Sequence, residues 1–393
     1  LLKTLFLGNW TSMIKLEYRN NVRMKRYSGM LKKLGLTLKD ALSVGYLGNY
    51  REMTAAKARK IRNQLDAEGQ KTFDAIAPAD LSLLTDSAKV KIPAFYLDAQ
   101  SRSFLSYLDN KGQEELRRLT MSKAQDIEDL ITEYEKLFPV LAKDKTLKED
   151  QRSNMYSILY YLFVTNGYAV LKQKSRFYTA LGVDVCPYCN RNRIRPFTKN
   201  KVTHVTGELD HFYCKEKYPY LALTRENLVP SCSVCNGEGG KHNHDFYHSG
   251  LVNPFTLNDS NEFSFGLDIS AVKGDIDYKT IPDMLKIEFH FNSGRLRRNS
   301  IVFNWRQHYT QSEYKEKATS IFIEAGSWSS KPYQDQTVLV FAGTTVKLRL
   351  EDLFHRTMHV WPFETEYLHC PDSKFTIDVF KDVLSKYGAT WPF

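Results

Sequence analysis

Two pairs of cysteines constrain the fold of this chain more than any other feature of its sequence. They are Cys186-Pro-Tyr-Cys189 and Cys232-Ser-Val-Cys235. Each Cys-x-x-Cys pair places two thiolates on one tight turn, and two such turns supply the four ligands of a closed tetrahedral zinc site. Because no ligand position remains for water, we expect a structural zinc ion held by Cys186, Cys189, Cys232 and Cys235. The alternative is that these are two unrelated pairs of buried thiols.

The periodicity of apolar residues predicts an α+β fold with three regions. The chain has 393 residues, which is longer than a usual single domain. Apolar residues at helical spacing predict a mainly helical region over 1–180. Cys, His, Asn, Gly and Pro are concentrated over 181–256, which predicts a compact metal-supported module. Alternating and aromatic runs predict an α+β region over 257–393, with strands near 262–270, 285–292 and 336–350 and helices near 308–326 and 376–388.

Composition and charge say less about function. The formal net charge of +10 suits a polyanionic partner but is compatible with many others. The sequence contains no run of about 18 apolar residues, so it predicts no membrane span. Residues 1–10 lack the basic start and the cleavage pattern of a secretory signal. Cysteine pairs without an export signal favour metal binding over disulfides. We therefore expect a cytoplasmic protein.

The segment between the two cysteine pairs carries the residues of a nuclease motif. The run ELDHFYCKEKYPYLALTRENLVPSCSVCN, over 208–236, is preceded by CPYCN and followed by VNPF. This pattern resembles the HNH endonuclease family, and within it the four-cysteine, zinc-containing branch of bacterial anti-phage nucleases of the Septu PtuB type. The resemblance covers 186–255 and leaves the flanking regions aside.

The resemblance implies a ββα-metal fold in which each motif residue has a role. Asp210 and Asn236 would bind a hard divalent ion, Mg²⁺ or Mn²⁺. His211 would take a proton from water, which requires a neutral imidazole. Asn227 would brace the loop that carries this base. One cation and one imidazole can together generate the nucleophile, stabilise charge on phosphorus and assist the leaving oxygen.

Two departures from the family pattern leave alternatives open. Cys214 stands where many relatives have proline, and like Cys370 it is predicted to be a small buried residue. Asn236 is followed by Gly-Glu-Gly-Gly-Lys, a poor helix start, so the metal-binding helix would be short or begin late. The second metal ligand would then be His242, His244 or His248, or these histidines are exposed bystanders. Glu208 is either a further acidic ligand or an ordinary strand residue.

A basic run follows the first cysteine pair. Arg191, Arg193 and Arg195 alternate with other residues, which predicts three guanidinium groups on one face of a strand. Such a face suits contacts with phosphate, although a solvated face is the usual role of a charge run.

These features lead to a functional hypothesis. We expect a metal-dependent HNH endonuclease that hydrolyses phosphodiester bonds of double-stranded DNA, leaving 5′-phosphate and 3′-hydroxyl ends. The resemblance implies anti-phage defence together with an ATPase, which would be a separate subunit because the sequence has no Gly-x-x-x-x-Gly-Lys-Ser/Thr loop. The alternatives are an RNA-cutting or toxin-type HNH nuclease, and a non-catalytic zinc module that binds nucleic acid or protein.

Overall fold

The computed structural model describes most of the chain. The described residues are 16, 24–77, 81–168, 175–238, 241–248, 253–256, 263–291, 312–330, 338–341, 344–347, 349–363, 367 and 369–393. Residues 1–10, which were considered as a secretory signal, lie outside the described residues. None of the described helices combines the length and the apolar character needed to cross a membrane.

The N-terminal part is mostly helical, as its periodicity predicts. The helix Ile127–Leu137 is an example of this periodicity. Its buried residues lie on one face at helical spacing, and they are Ile127, Leu130, Ile131 and Tyr134. The α-helices are α1 (Met24–Val44), α2 (Ala55–Gln64), α3 (Ala67–Ile76), α4 (Ala99–Met121, with a non-helical kink over Asn110–Gln113), α5 (Ile127–Leu137), α6 (Pro139–Asp144), α7 (Asn154–Leu159) and α8 (Ser175–Leu181). A π-helix (Tyr160–Tyr168) continues α7. Short 3-10 helices are Leu81–Leu83, Ala124–Asp126 and Glu149–Gln151.

Two small antiparallel sheets also lie in this part and were not predicted. Strands of two to four residues are too short to show an alternating pattern, so residue periodicity could not predict them. They are β1 (Tyr46–Leu47) paired with β4 (Phe95–Tyr96), and β2 (Arg51–Thr54) paired with β3 (Lys89–Ile92).

The central part has two antiparallel hairpins and one short helix. Helix α9 ends at Asn236, because Gly237 follows in an extended conformation. It therefore precedes the position of the helix expected after Asn236, and the described residues 237–238 and 241–248 contain no helix. The strand expected over Arg191–Arg195 is wrong. This stretch follows the cysteine turn, and its pairing is limited to a single bridge between Val185 and Arg193. The elements are β5 (Pro196–Lys199) with β6 (Val202–Val205), β7 (Glu208–His211) with β8 (Leu228–Ser231), α9 (Ser233–Asn236), and 3-10 helices Pro219–Leu221, Arg225–Asn227 and Pro254–Thr256.

Within its described residues the C-terminal part confirms the predicted strands and helices, although a helix begins at Leu350, the end of the strand run predicted over 336–350. Residues 262, 292, 308–311, 336–337, 342–343 and 348 of the predicted elements lie outside the described residues. Its longest described hairpin pairs Phe263–Asp268 with Lys286–Phe291 in antiparallel register. The last helix packs against this hairpin and against the long helix before it. The elements are β9 (Phe263–Asp268), α10 (Ile281–Met284), β10 (Lys286–Phe291), α11 (Ser312–Ser330), β11 (Val338–Phe341) with β12 (Thr344–Lys347), α12 (Leu350–Met358) and α13 (Ser373–Lys386), with a 3-10 helix at Tyr278–Thr280.

Buried apolar residues from all three parts belong to one cluster. It includes Leu105 of α4, Phe212 after β7 and Phe375 of α13, each fully buried. The described chain is thus a mixture of helices and two-stranded sheets, which agrees with the predicted α+β class. The division at 180 and 256 stays a prediction.

Asn190 joins the first cysteine turn to the C-terminal part. Its side-chain amide donates to the carbonyl of Tyr367 at 2.6 Å, and its side-chain oxygen accepts from the backbone N–H of Lys374 at 3.0 Å. Its own carbonyl accepts from the backbone N–H of Asp372 at 2.6 Å. Asn190 is fully buried, so its hydrogen bonds fix the start of α13 on the cysteine turn.

Replacing Asn190 with alanine should destabilise the protein. Asn190→Ala would leave two buried backbone groups unpaired, which we expect to lower the free energy of unfolding by about 3 kcal/mol. The measurement is urea unfolding. Asn200→Ala is the matched control, since Asn200 has the same left-handed backbone (φ of 51° for both) but is exposed. Equal losses in the two variants would show that the side-chain hydrogen bonds of Asn190 contribute nothing.

Candidate active site and cysteine cluster

The four paired cysteines converge on one point. Their Sγ atoms all lie within 4.8 Å of one another, and all four residues are buried. Cys189 Sγ and Cys232 Sγ are 4.0 Å apart. A tetrahedral zinc ion bound at about 2.3 Å from each sulfur would space the sulfurs by roughly 3.8 Å. The cluster could therefore bind a metal ion such as zinc, as the spacing in the sequence predicts.

Hydrogen bonds donated to sulfur favour the negatively charged thiolate form of cysteines in the cluster. The backbone N–H of Cys232 donates to Cys186 Sγ at 3.3 Å, and the side-chain amide of Asn192 donates to Cys232 Sγ at 3.2 Å. Hydrogen bonds from Cys186 and the other two thiols hold the pKa of Cys232 far below its ordinary value, whereas burial raises the pKa of Cys186. A divalent cation at the centre would stabilise all four cysteines as thiolates.

Strand β7 presents the Asp-His pair beside a cavity. The cavity has a volume of about 410 Å³, and Glu208, Asp210 and His211 lie on its wall. Successive side chains of a strand point to opposite faces. Accordingly, Asp210 contacts the segments that carry the cysteines, while His211 contacts the loop that joins β7 to β8.

Asp210 is held by two donors, one from each side of the cysteine cluster. Its Oδ2 accepts a hydrogen bond of 2.6 Å from the hydroxyl of Tyr188, which lies inside the first cysteine pair. Its Oδ1 accepts from Lys241 Nζ at 2.9 Å. Burial raises the pKa of Tyr188 well above its ordinary value, so the phenol keeps the proton that it donates. The backbone N–H of Lys241 in turn donates to the carbonyl of Cys235 at 2.7 Å.

The ring of His211 is oriented by a backbone carbonyl. His211 Nε2 lies 3.1 Å from the carbonyl oxygen of Ala222, and a carbonyl can only accept a hydrogen bond. The neutral imidazole therefore carries its proton on Nε2, and Nδ1 is the nitrogen that can accept one. The ring of Tyr168, the last residue of the π-helix, packs on His211 with a centroid distance of 5.0 Å. This tautomer suits a general base.

Asn227 braces the loop that supplies this carbonyl. Its side-chain oxygen accepts from the backbone N–H of Tyr213 at 2.7 Å, and its amide donates to the carbonyls of Tyr213 and Leu221 at 3.2 and 3.1 Å. Asn227 is fully buried and is not among the residues that line the cavity. Its contacts thus match the bracing role that the family resemblance implies.

Glu208 and Asn236 lie together on the cavity wall. The side-chain amide of Asn236 donates to Glu208 Oε2 at 2.5 Å, so Glu208 is both a strand residue and part of the cavity. With Asp210 they give the cavity two carboxylates and one amide oxygen, a donor set that suits Mg²⁺ or Mn²⁺. The ammonium group of Lys241 lies on the same wall.

The histidines and arginines singled out from the sequence are placed differently. His242 is exposed at the cavity and remains a candidate ligand. His244 and His248 are exposed and do not line the cavity; His248 packs on Tyr247 at a centroid distance of 3.8 Å. Arg193 and Arg195 are exposed, whereas the guanidinium of Arg191 lies 5.3 Å from the ring of Tyr314. The three arginines do not line the cavity. Cys214 is buried, as expected, and Cys370 is half-buried.

Three residues of the site were missed in the sequence. Tyr188 lies within the first cysteine pair and Lys241 within the glycine-rich stretch after the second, so their positions alone could have drawn attention to them. Tyr168 belongs to the helical part, and no sequence signal connects it to His211.

A comparison with known proteins finds a relative that is similar to this chain over part of its length. Over 83 residues the chain is 36% identical to the Septu protein PtuB of Bacillus thuringiensis. The matched segment makes up 20% of this chain and 30% of that protein, so the similarity concerns a minor part of each. No family model matches the chain. No solved structure matches it either.

The cysteine cluster predicts a specific dependence on zinc. We expect one zinc ion per chain in the wild type and less than about a tenth of that in Cys232→Ser, because a structural zinc site contributes directly to folding. Metal analysis of the purified proteins measures this, with near-ultraviolet circular dichroism as a reading of the fold. Cys214→Ser, which also alters a buried cysteine, should retain its zinc. Full zinc content in Cys232→Ser would contradict the assignment.

Asn227→Ala should loosen the loop between β7 and β8. Removal of three buried hydrogen bonds should lower the free energy of unfolding by about 2–4 kcal/mol. It should also speed hydrogen exchange at the backbone amide of Tyr213, which loses its acceptor. Asn243→Ala, at an exposed position, is the control for stability. A Tyr213 amide that stays protected in Asn227→Ala would rule out the brace.

Proposed function

We propose that the chain is a metal-dependent HNH endonuclease that hydrolyses phosphodiester bonds in DNA. The observation that carries this proposal is the arrangement of β7, where Asp210 and His211 lie side by side at an oxygen-rich cavity. The contact of His211 Nε2 with the carbonyl of Ala222 favours the tautomer in which Nδ1 is the basic nitrogen, and Asn227 makes hydrogen bonds across the loop that supplies this carbonyl. The hairpin of β7 and β8 followed by α9 gives the order of elements of a ββα-metal module.

The residues of the site have distinct roles in this reaction. His211 Nδ1 accepts a proton from the attacking water, while Ala222 holds the opposite nitrogen. Asp210 and Asn236 would hold the divalent ion, and Glu208 supports Asn236 through its carboxylate. When bound, the ion supplies charge stabilisation at the phosphate and assists departure of the 3′ oxygen. The products are 5′-phosphate and 3′-hydroxyl ends.

Contacts with the DNA backbone would come from exposed cations. Arg193 and Arg195 are exposed on the segment between the first cysteine pair and β5, and the chain carries a formal net charge of +10. Neutralisation of phosphates by such groups gives affinity without sequence information. Arg191 is half-buried against Tyr314, so its part in binding is the smallest of the three in this proposal.

The biological setting we propose is cytoplasmic anti-phage defence with a separate ATPase subunit. The partial similarity to the Septu protein PtuB of Bacillus thuringiensis supports the defence setting. The ATPase subunit rests on the family resemblance, and the cytoplasmic location rests on the paired cysteines. A second candidate is a non-catalytic zinc module. One observation favours this second candidate. The ammonium group of Lys241 donates a hydrogen bond to the carboxylate of Asp210, which would otherwise bind the metal ion.

The experiment compares wild type with His211→Ala on supercoiled plasmid in Mg²⁺, Mn²⁺ or EDTA. We expect metal-dependent nicking by the wild type and a loss of about 10²–10⁴-fold in His211→Ala, the usual contribution of a general base. Metal analysis must first show equal zinc in both proteins. The control is His204→Ala, which removes an exposed imidazole from β6 and should cut like the wild type.

The outcomes separate the candidate functions. Equal cutting by wild type and His211→Ala would contradict the mechanism. Cleavage of RNA but not plasmid, still lost in His211→Ala, would change the substrate and keep the chemistry. An inactive wild type, tested on DNA and RNA with an ATPase partner present, would favour the non-catalytic zinc module.

A further inference from the structure

Lys241 is a buried cation at the centre of the candidate active site. Its side chain is 1% exposed, and Nζ donates to Asp210 Oδ1 at 2.9 Å and to the carbonyl of His211 at 2.6 Å. The ring of Phe246 lies 5.2 Å from the same atom. A buried ammonium group requires partners of this kind, because its desolvation is costly. Lys241 is therefore held firmly against β7.

The position of Lys241 conflicts with easy binding of a divalent ion. Asp210 is 3% exposed, and the ammonium already compensates its carboxylate. An ion bound to Asp210 would lie a few ångströms from Nζ in a site with little water between them, where charges repel strongly. Tyr188 holds the other carboxylate oxygen with a neutral hydroxyl, so it orients Asp210 without this repulsion.

We propose that Lys241 is the resident counter-ion of Asp210 and keeps the affinity of the site for divalent ions low until a phosphate enters the cavity. This inference rests on the proposed role of Asp210 as a metal ligand. A phosphodiester brings negative charge to the cavity, which offsets the ammonium and favours the ion. By thermodynamic linkage the ion must then favour the phosphate equally. Lys241 thereby makes occupation of the metal site depend on substrate.

The test measures Mn²⁺ binding to the zinc-loaded full chain by isothermal titration calorimetry, without nucleic acid. Removal of the ammonium in Lys241→Met or Lys241→Gln should tighten Mn²⁺ binding by at least about tenfold. Lys217→Met removes an ammonium that is paired with Asp245 and does not line the cavity, and this variant should bind like the wild type. Tyr188→Phe removes a neutral donor from Asp210 and should not tighten binding. Asp210→Ala should abolish it.

A second measurement, the melting temperature, distinguishes an electrostatic role of Lys241 from a purely structural one. Lys241→Met leaves Asp210 without a cation, so its melting temperature should fall and then rise on addition of Mn²⁺ by more than that of the wild type. Lys241→Gln keeps a hydrogen-bond donor and should fold where Lys241→Met does not. Failure of both variants to fold in saturating Mn²⁺ would assign Lys241 to the fold alone and overturn the inference.

These results separate the inference from the proposed nuclease. Tighter Mn²⁺ binding in the Lys241 variants of a protein that cuts no nucleic acid would support the counter-ion and refute the nuclease. Unchanged or weaker Mn²⁺ binding in Lys241→Met, in a protein whose wild type cuts plasmid, would refute the counter-ion and leave the nuclease standing.

Discussion

The convergence of four cysteines is the interaction on which the candidate site depends. The segment between them has only two-stranded sheets and short 3-10 helices, and the cluster brings the sulfurs at its two ends within 4.8 Å of one another. Each end then delivers one donor to Asp210: Tyr188 from within the first pair, and Lys241 through the backbone hydrogen bond to Cys235. A metal ion at the cluster would therefore do more than stabilise the fold, because it would also determine the orientation of the carboxylate.

The remaining parts of the chain contribute to the same site. The helical part places Tyr168 against His211, and the carboxylate of Glu226, just before Asn227, accepts from the backbone N–H of Ala124 at 2.9 Å. The C-terminal part is fixed to the first cysteine turn through Asn190. The central part, whose strands and helices are short, thus contacts both neighbours, which is consistent with the shared apolar cluster.

Much of the fold and the centre of the site were predictable from the sequence. The spacing of the cysteines predicted their convergence, and residue periodicity predicted β9, β10, α11 and α13. The family resemblance implied a bracing role for Asn227, and this role stays a prediction. The strand over Arg191–Arg195 was wrong because this stretch, just after the cysteine turn, forms only one bridge, and alternation alone does not reveal whether a partner strand exists. Lys241 was not predicted as a partner of Asp210, since 31 positions separate them and only the folded chain brings them together.

The most direct test is a crystal structure of His211→Ala with a short DNA duplex and Mn²⁺. Anomalous diffraction at the zinc and manganese absorption edges identifies the element of each bound ion and locates it. We expect a zinc peak among the four sulfurs and a manganese peak bound to both Asp210 and a phosphate oxygen. A bound duplex whose phosphates stay away from Asp210, with no manganese at that carboxylate, would contradict this expectation.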